Sequence, residues 1–336
     1  MAVVEQPAVP FIDESVSIEF GRAEPRASTT ADQTKLTIAS YNIRYAVGSH
    51  LISSGLLRRL RFNPPQPRAK KVANNIRTAT QAFSSGSLLP PVDILALQEA
   101  DKRTGRAGGH HVARELAEQL AMGWVHVPAG LPRGEKPKAR QWWLNFEEPI
   151  AVDDSGDTGV ALLSHLPLED VARIDLPWHE CAWRPRLALG ATVSLGSRRL
   201  RVFNAHIDPH AAVGGQIEQL EAMMDHADSF PGPTVVLGDF NTLSKQKCAE
   251  TRAFMEALGY TTPFPTGTPT WRGAGLRMHA DWIFVRDVRI NNWGVARPLN
   301  VSDHWPIWAE IALPVSDCQL PNSSVDSENE LRRKGN

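Results

Sequence analysis

Cysteine is scarce in this chain of 336 residues, which has only three. Cys181, Cys248 and Cys318 are odd in number and far apart, which argues against a disulfide framework and against a zinc site. Long apolar runs are also missing, and none approaches the roughly 20 residues of a membrane span. No basic start followed by an apolar core marks a leader, so we expect an intracellular, cytoplasmic protein.

Acidic residues are absent between Asn42 and Asp93, where eight basic residues occur. These are Arg44, Arg58, Arg59, Arg61, Arg68, Lys70, Lys71 and Arg77. The whole chain has a formal net charge of −1, which favours neither nucleic acid nor a membrane surface. The basic run either steers a phosphorylated substrate or forms a solvated loop followed by the outer face of a helix.

Short apolar runs alternate with helical patterns along the chain. The runs predict strands at residues 35–42, 92–97, 123–128, 159–164, 186–195, 199–206, 233–238, 280–285 and 306–313. Helices are predicted at residues 68–84, 109–121, 214–228 and 246–258. A polar turn at residues 194–199 joins two strands as a hairpin. We therefore expect an α/β fold with two packed mixed sheets and helices outside.

Polar residues that end apolar runs are spread from residue 42 to residue 304, so a boundary between independent domains would divide them. We predict one domain over residues 33–314. Residues 1–32 and 315–336 lack apolar periodicity and are predicted to be loosely ordered tails.

Long loops at residues 44–66, 101–108, 129–157 and 261–279 are rich in proline, glycine, arginine and tryptophan. Loops of this length in a compact domain tend to be functional or disordered. Trp142, Trp143 and Trp271 are unusual for disordered segments, so we expect ordered walls of a substrate cleft.

Five apolar runs each end in an acid, an amide or a histidine. The residues at these ends are Asn42, Glu99, His206, Asp239 with Asn241, and Asp303 with His304. The ends of buried strands bring distant parts of a chain into one pocket. Carboxylates and carboxamides without cysteine are typical ligands of a hard cation such as Mg²⁺. The sequence thus predicts one active site with an oxygen-rich metal centre.

Two of these ends have a structural interpretation beside the functional one. Glu99 alone could be a surface residue just past a strand, but Asn42 can lie beside it in the same sheet. Asp239 and Asn241 are two residues apart, so in an extended segment both side chains face one phosphate, water or metal. Equally, the pair could form an Asx turn that caps the next helix.

The histidines are assigned to the phosphate. We interpret His206 as a hydrogen-bond donor to phosphoryl oxygens and Asp208 as an orienting or capping residue, although His206-x-Asp208-x-His210 also has a spacing that zinc or manganese accepts. Adjacent side chains in an extended segment point apart, so Asp303 is assigned to the metal and His304 to the scissile phosphate. Asp281 then supplies the carboxylate that orients His304.

Seven motifs resemble those of the endonuclease/exonuclease/phosphatase superfamily, which has the DNase I-like fold. In order along residues 35–313 they are Tyr-Asn-Ile-Arg, Leu-Gln-Glu, Gly-Val-Ala-Leu-Leu-Ser, Asn-Ala-His, Gly-Asp-Phe-Asn, Ala-Asp-Trp-Ile-Phe and Ser-Asp-His. The resemblance implies a four-layered α/β sandwich. It also implies Mg²⁺- or Mn²⁺-dependent cleavage of a phosphoester by water.

The resemblance assigns roles position by position. The implied metal ligands are Asn42, Glu99 and Asp303, with Glu99 the principal one. The implied catalytic residues are His206, Asp239, Asn241, Asp281 and His304. Asp239 positions or deprotonates the water, and the two histidines stabilise the transition state. The candidates for substrate binding are Arg44, Arg186, Asp208 and Trp271.

Departures from two subfamilies narrow the prediction. Ile43 follows Asn42 where abasic-site endonucleases usually have glycine, and Ala280-Asp281-Trp282-Ile283 stands where inositol polyphosphate 5-phosphatases carry Trp-Cys-Asp-Arg. We therefore predict a phosphodiesterase of another kind, with a nucleic acid strand as one candidate substrate. The alternatives are a phosphomonoesterase of a sugar, inositol or lipid phosphate, and a non-catalytic binding module.

Overall fold

The computed structural model describes residues 17–22, 35–49, 67–131, 148–151, 153–179, 184–273 and 275–314. Within these residues two mixed β-sheets pack face to face and helices cover their outer surfaces, which confirms the predicted α/β sandwich. Features predicted at Arg58, Arg59, Arg61, Trp142 and Trp143 lie outside the described residues. So do the predicted C-terminal tail and most of the N-terminal one.

Fourteen strands form in the described part of the chain. They are β1 Glu19–Gly21, β2 Lys35–Asn42, β3 Ile94–Gln98, β4 Gly123–Pro128, β5 Gly159–Ser164, β6 Leu168–Asp175, β7 Leu187–Leu195, β8 Arg198–His206, β9 Thr234–Asp239, β10 Trp271–Gly273, β11 Leu276–Met278, β12 Asp281–Arg286, β13 Arg289–Val295 and β14 Ile307–Ala312. Several, such as β3 and β9, are continuous apolar runs that are buried along their whole length, as expected of strands covered on both faces.

Each of the two sheets contains one pair of parallel strands. The first sheet has the order β1-β4-β5-β3-β2-β14-β13 and the second has the order β12-β9-β8-β7-β6. β2 and β3 are parallel, with Asn42 opposite Gln98, while β8 and β9 are parallel, with His206 opposite Asp239. The other neighbours of these strands are antiparallel. Each sheet therefore delivers the ends of two parallel strands to one edge.

Helices close the sandwich on both sides. Their bounds are α1 Arg68–Ser84, α2 Val112–Leu120, α3 Val213–Asp228 and α4 Lys245–Ala257. On the outer face of the first sheet, Val72 of α1 and Leu116 of α2 share an apolar cluster with Tyr41 and Leu97. Leu220 of α3 belongs to the larger cluster that fills the space between the sheets and continues onto the second sheet. Amphipathic faces of this kind stabilise helices mainly through packing.

Two buried amides connect the sheets. Gln98 Nε2 of the first sheet donates to Asn204 Oδ1 of the second at 2.6 Å. Asn204 Nδ2 in turn donates to the carbonyl oxygens of Leu97 at 2.9 Å and Ala161 at 2.8 Å. Both amide side chains are fully buried, where a lost hydrogen bond is costly. These bonds therefore fix how one sheet is aligned on the other.

The predicted elements agree with the observed ones within a few residues, but five observed strands are not predicted. They are β1, β6, β10, β11 and β13, of which β10 and β11 pair with each other within the loop predicted at residues 261–279. β1 lies in the predicted N-terminal tail, but its residues pair with β4, with Phe20 opposite Val125, so residues 17–22 are not loosely ordered. The hairpin at residues 194–199 is confirmed between β7 and β8. Among the described residues, no helix combines the length and the apolar character needed to cross a membrane.

Candidate active site

The ends of the two parallel pairs meet, and the amide of Asn42 joins them. Asn42 Nδ2 donates to Glu99 Oε1 at 3.3 Å and to Asp239 Oδ2 at 2.8 Å. Its Oδ1 accepts from the backbone N–H of Arg44 at 3.0 Å. Asn42 and Glu99 belong to the first sheet and Asp239 to the second, so one side chain bridges both halves of the predicted site.

Asp239 is the centre of this cluster. Its Oδ2 lies 3.6 Å from His206 Nε2 and 3.7 Å from His304 Nε2. Burial, with a further contribution from Asp281, raises the pKa of Asp239 to about 6, although His304 and Asn42 act in the opposite direction. A carboxylate with a pKa near neutral can both accept and release a proton at physiological pH.

The Asx turn suggested for Asp239 and Asn241 is present, but it does not cap α4, whose N-cap is Ser244, and the functional interpretation of the pair stays a prediction. Asp239 Oδ1 accepts from the backbone N–H of Asn241 at 2.9 Å, which is an Asx turn. Oδ2 faces Asn42 and the two histidines. The amide of Asn241 donates to the carbonyl oxygen of Ile207 at 2.9 Å and so connects the ends of β8 and β9.

His304 is held by Asp281 as predicted. His304 Nδ1 lies 2.9 Å from Asp281 Oδ2 and 3.1 Å from Oδ1, which assigns the Nδ1 proton to this hydrogen bond. Burial alone would lower the pKa of His304, but the carboxylates of Asp281 and Asp239 outweigh it and raise the pKa to about 10. The ring is therefore a cation at neutral pH, and its Nε2 proton faces Asp239.

His206 is surrounded by positive charge, which the sequence did not predict. Arg186 Nη1 lies 3.0 Å from His206 Nε2, and Arg184 Nη2 lies 3.4 Å from Nδ1. Burial, followed by the charges of Arg186 and Arg184, holds the pKa of His206 well below its usual range. A guanidinium only donates, so the neutral ring accepts from one of the two arginines, while its other nitrogen carries the ring proton. The role of His206 as a donor to phosphate stays a prediction.

Asp303 lies in the same region, and both of its carboxylate oxygens already have partners. Its Oδ2 accepts from Trp271 Nε1 at 3.1 Å and forms an ion pair with Arg44 Nη1 at 3.1 Å. Its Oδ1 accepts from Ser302 Oγ at 3.2 Å. Trp271 is only 4% exposed and supports Asp303 through its Nε1 hydrogen bond, while its predicted place in the wall of a substrate cleft stays a prediction.

Asp208 forms a local turn, and its predicted orienting and substrate-binding roles stay predictions. Its Oδ1 accepts from the backbone N–H of His210 at 2.9 Å, which forms another Asx turn. Gln216 of α3 holds the segment in place, since its Nε2 donates to the carbonyl oxygens of Asp208 at 2.8 Å and Asn241 at 3.2 Å. Asp208 thus stabilises the loop that follows His206.

Two arginines at the site were missed from the sequence. Arg184 Nη2 lies 3.9 Å from Glu99 Oε1 as well as near His206. Arg106 forms a two-point ion pair with Asp101, with N–O distances of 2.7 and 2.9 Å, and its guanidinium lies 4.1 Å from the centre of the Tyr45 ring. Both arginines lie in irregular segments, where periodicity gives no signal. The only sequence signal for Arg106 is its loop, which follows Glu99 directly.

The donor groups fit a hard divalent cation. Glu99 and Asp239 bring carboxylate oxygens to the amide of Asn42, and such oxygens are the ligands that Mg²⁺ or Mn²⁺ prefers, although the Asn42 atom that faces them is Nδ2 and its Oδ1 accepts from Arg44. The ligand atoms of Asp239, Asp281 and His304 also lie within 4.8 Å of one another. However, a protonated His304 has no lone pair with which to bind a metal. We therefore favour Glu99 and the residues around it as the metal ligands.

A sequence profile of the Endonuclease/Exonuclease/phosphatase family matches residues 39–304 of this chain. The matched range includes Asn42 and His304, the first and the last residues of the site.

Solved structures share the fold. An endonuclease/exonuclease/phosphatase from Beutenbergia cavernae is 17% identical, with a TM-score of 0.57, and the match covers 84% of this chain and 72% of that one. ANGEL2, a 2',3'-cyclic phosphatase solved with adenosine-2',3'-vanadate, is 12% identical, with a TM-score of 0.56 and coverages of 89% and 99%.

A curated relative matches over a shorter stretch. The UPF0294 protein plu0699 of Photorhabdus laumondii is 30% identical over 112 residues, which are 33% of this chain and 42% of that protein. The match therefore spans less than half the length of that relative.

Proposed function

Because this chain belongs to the Endonuclease/Exonuclease/phosphatase family, we propose that it is a divalent-metal-dependent phosphodiesterase. In this proposal Asp239 activates a water molecule, which attacks the phosphate in line with the leaving group, and the divalent ion would polarise the phosphoryl oxygens. The family consists of phosphoester hydrolases, which supports the reaction class.

One observation carries the proposal. A single carboxylate oxygen, Asp239 Oδ2, has Asn42 Nδ2 at 2.8 Å, His206 Nε2 at 3.6 Å and His304 Nε2 at 3.7 Å around it. These residues come from both sheets and from positions 42 to 304 of the chain. An acid with two imidazoles and an amide around it suits proton transfer next to a phosphoryl group whose charge increases in the transition state.

Each side chain then has a defined task. Glu99 and Asn42 would hold the Mg²⁺ or Mn²⁺ ion, which when bound polarises the phosphoryl oxygens as a Lewis acid. Asp239 accepts the proton of the attacking water. His304 donates through Nε2 to a phosphoryl oxygen, while Asp281 fixes its ring from the other side. These interactions become stronger as charge develops, so they favour the transition state over the ground state.

A phosphomonoesterase is the second candidate, and the arginines favour it. Arg184 and Arg186 place two buried positive charges beside His206. A phosphomonoester carries more negative charge than a diester, so it would benefit more from two guanidiniums. The ANGEL2 structure, with its cyclic phosphate analogue, makes a cyclic phosphodiester a third substrate to include in any assay.

The substrate class can be tested with the purified full chain. We would measure hydrolysis of bis(p-nitrophenyl) phosphate, p-nitrophenyl phosphate, a 2',3'-cyclic nucleotide and single-stranded DNA with Mg²⁺, Mn²⁺ or EDTA. Metal-dependent cleavage of the diesters is expected, and faster cleavage of the monoester would favour the second candidate. Hydrolysis that EDTA leaves unchanged would contradict the proposal, and no hydrolysis of any substrate would favour a binding module.

Glu99→Gln is expected to lower activity at limiting Mg²⁺, because the amide supplies a weaker oxygen ligand with no charge. The loss should be on the order of 100-fold at low metal and smaller at saturating metal. A titration of turnover against Mg²⁺ concentration measures this. Glu218→Gln, on the exposed face of α3, is the matched control and should leave the titration unchanged. Equal curves for Glu99→Gln and the unaltered chain would remove Glu99 from the metal site.

A further inference from the structure

A second group of metal-ligand side chains lies away from the active site, where β1 joins β4. Glu19 of β1, His111 at the start of α2 and His126 of β4 place ligand atoms within 4.8 Å of one another. None of the three takes part in the proposed reaction. The group contains two imidazoles and one carboxylate, a different chemistry from the oxygen-rich active site.

His126 has a free lone pair in a buried position. Its Nε2 lies 2.7 Å from the carbonyl oxygen of Ala100, so Nε2 carries the proton and donates it. Nδ1 therefore keeps its lone pair, and it has no hydrogen-bond partner within the described part of the chain. The side chain is 0% exposed, so water does not provide a ready substitute. A buried acceptor without a partner is costly, unless a ligand uses it.

The same arrangement is found in histidines that bind metals. Such a histidine usually donates its second ring N–H to a carbonyl or carboxylate, which fixes the tautomer and orients the ring. Here the Ala100 carbonyl does this for His126. His111 is the N-cap residue of α2, and its Nε2 lies 3.0 Å from Glu19 Oε2. Its Nδ1 accepts from the backbone N–H of Arg114 at 3.3 Å.

We propose that Glu19, His111 and His126 form a site for a transition-metal ion, which takes Zn²⁺ in preference to Mg²⁺. Two imidazoles and one carboxylate suit Zn²⁺, whereas Mg²⁺ prefers oxygen ligands alone. The ligand atoms His126 Nδ1, His111 Nε2 and one Glu19 oxygen leave the fourth position of a tetrahedron to water.

Both histidines are ready to bind a cation at neutral pH. Burial lowers the pKa of His126 to about 3, and burial also lowers the pKa of His111 even though Glu19 acts against it. Neither ring has to release an excess proton before it coordinates. The cost of deprotonation that weakens many metal sites at pH 7 is therefore absent here.

Three adjustments accompany binding. Ligands of one Zn²⁺ at about 2.0 to 2.2 Å cannot be more than about 4.4 Å apart, so any ligand atom beyond that separation must move closer. Glu19 can supply this movement, because its side chain is 30% exposed. The proton of His111 moves to Nδ1, which breaks the cap bond from the Arg114 N–H. Lys102 forms an ion pair with Glu19, so it must share that carboxylate with the metal ion or move away from it.

The site would fasten β1 to the sheet. β1 has three residues and its pairing in the first sheet is with β4 alone. A metal ion shared by Glu19 of β1 and His126 of β4 would add coordinate bonds to this short edge strand. The bound ion would then stabilise the protein in the way that structural zinc sites do.

The test measures Zn²⁺ binding rather than hydrolysis, so its outcome does not depend on the proposed function. Because the active site could also bind Zn²⁺, all variants carry Glu99→Gln. Isothermal titration of the full chain with ZnCl₂ should give one tight site for Glu99→Gln. Adding Glu19→Gln should weaken that site at least about 100-fold, and the Zn²⁺-dependent rise in Tm should be lost.

A matched control uses Glu218→Gln in the same background, which should bind Zn²⁺ like Glu99→Gln alone. Circular dichroism without metal checks that each variant is folded. If His126→Gln fails to fold, Glu19→Gln still decides the question, because Glu19 is partly exposed. The proposal is overturned if Glu99→Gln binds no Zn²⁺, or if Glu19→Gln leaves the affinity for Zn²⁺ unchanged.

Discussion

At the scale of single residues, the site combines groups whose protonation states are set by one another. His304 is cationic because the carboxylates of Asp281 and Asp239 lie next to it, with a pKa raised to about 10 against the effect of burial. His206 is neutral because burial and two arginines lower its pKa. Two histidines of the same chain, both near Asp239 Oδ2, therefore carry different charges.

Asp281→Asn is expected to lower kcat by a factor on the order of 100 to 1000, with little change in KM. The substitution removes the negative charge that stabilises the His304 cation, and the new amide can present N–H to the Nδ1 proton. A steady-state comparison of kcat and KM on the best diester substrate measures the effect.

Asp228→Asn is the matched control, because Asp228 pairs with Arg286 at the protein surface at 2.9 Å. It should leave both kinetic constants unchanged, since surface ion pairs contribute little. Comparable losses in both variants would mean that Asp281 acts through general stability and not through His304.

The sequence predicted the residues at strand ends well, since an acid or a histidine directly after a buried apolar run has few structural reasons to be there. It predicted Asn42, Glu99, Asp239 and His304 as neighbours, and the structure brings them together. It missed Arg184, because a buried arginine in an irregular segment leaves no periodic pattern. The roles of all these residues in the reaction stay predictions.

At the scale of elements, backbone strain concentrates where strands end at the site. Arg44, Tyr45 and Ala46 follow β2 with φ values of 45°, 41° and 57°. Glu99 follows β3 with φ 49°, and Asn241 follows β9 with φ 51°. Each such residue costs roughly 1 to 2 kcal/mol relative to ordinary backbone. The packed sheets supply the stability that keeps these side chains aimed at the site.

Ala121→Gly should increase the free energy of unfolding by about 1 kcal/mol, because Ala121 ends α2 in the left-handed conformation, with φ 53°, and is exposed. Ala249→Gly on the exposed face of α4 is the control and should decrease it by a similar amount. Urea denaturation of the three proteins gives both values. A loss of stability in Ala121→Gly would show that the strain at this position is relieved elsewhere.

Central strands could be predicted from the sequence, as could the buried edge strand β12, whereas the more exposed edge strands could not. β2, β3 and β9 are rich in apolar residues and buried along all or nearly all of their length, as expected when both faces of a strand are covered. β6 and β13 lie at sheet edges and expose many side chains, so their sequences resemble polar loops. β1 has only three residues, too few for any period to be recognised.

At the scale of the whole molecule, buried neutral histidines make stability depend on pH. Burial lowers the pKa of His279 to about 4, with the carbonyl of Asp281 acting against it. The ring stacks on Trp282 at 3.8 Å, and its Nδ1 accepts from the backbone N–H of Gly267 at 3.1 Å. Protonation would place a positive charge and an extra donor in this packed position.

The free energy of unfolding should therefore fall as the pH is lowered from about 6.5 to about 4. In that window an unfolded histidine, with a pKa of about 6.5, binds a proton that folded His279 does not. His279 should lower the free energy of unfolding by up to about 3 kcal/mol. This loss is complete at about pH 4 and absent above about pH 6.5. Urea denaturation at a series of pH values measures it.

His279→Gln should flatten this dependence, since glutamine does not titrate. His226→Gln, at an exposed position of α3, should keep the original slope. An unchanged slope in His279→Gln would assign the acid sensitivity to other groups.

The buried contact between Gln98 and Asn204 has a consequence for anyone who redesigns this protein. Replacing both amides with well-packed apolar side chains would be expected to raise the melting temperature. Well-packed apolar side chains at buried positions often stabilise a protein more than the polar groups they replace. It would also release the two sheets to slide, and Glu99 and Asp239 sit on opposite sides of that junction. A heat-tolerant catalyst should therefore keep this pair and seek its extra robustness elsewhere.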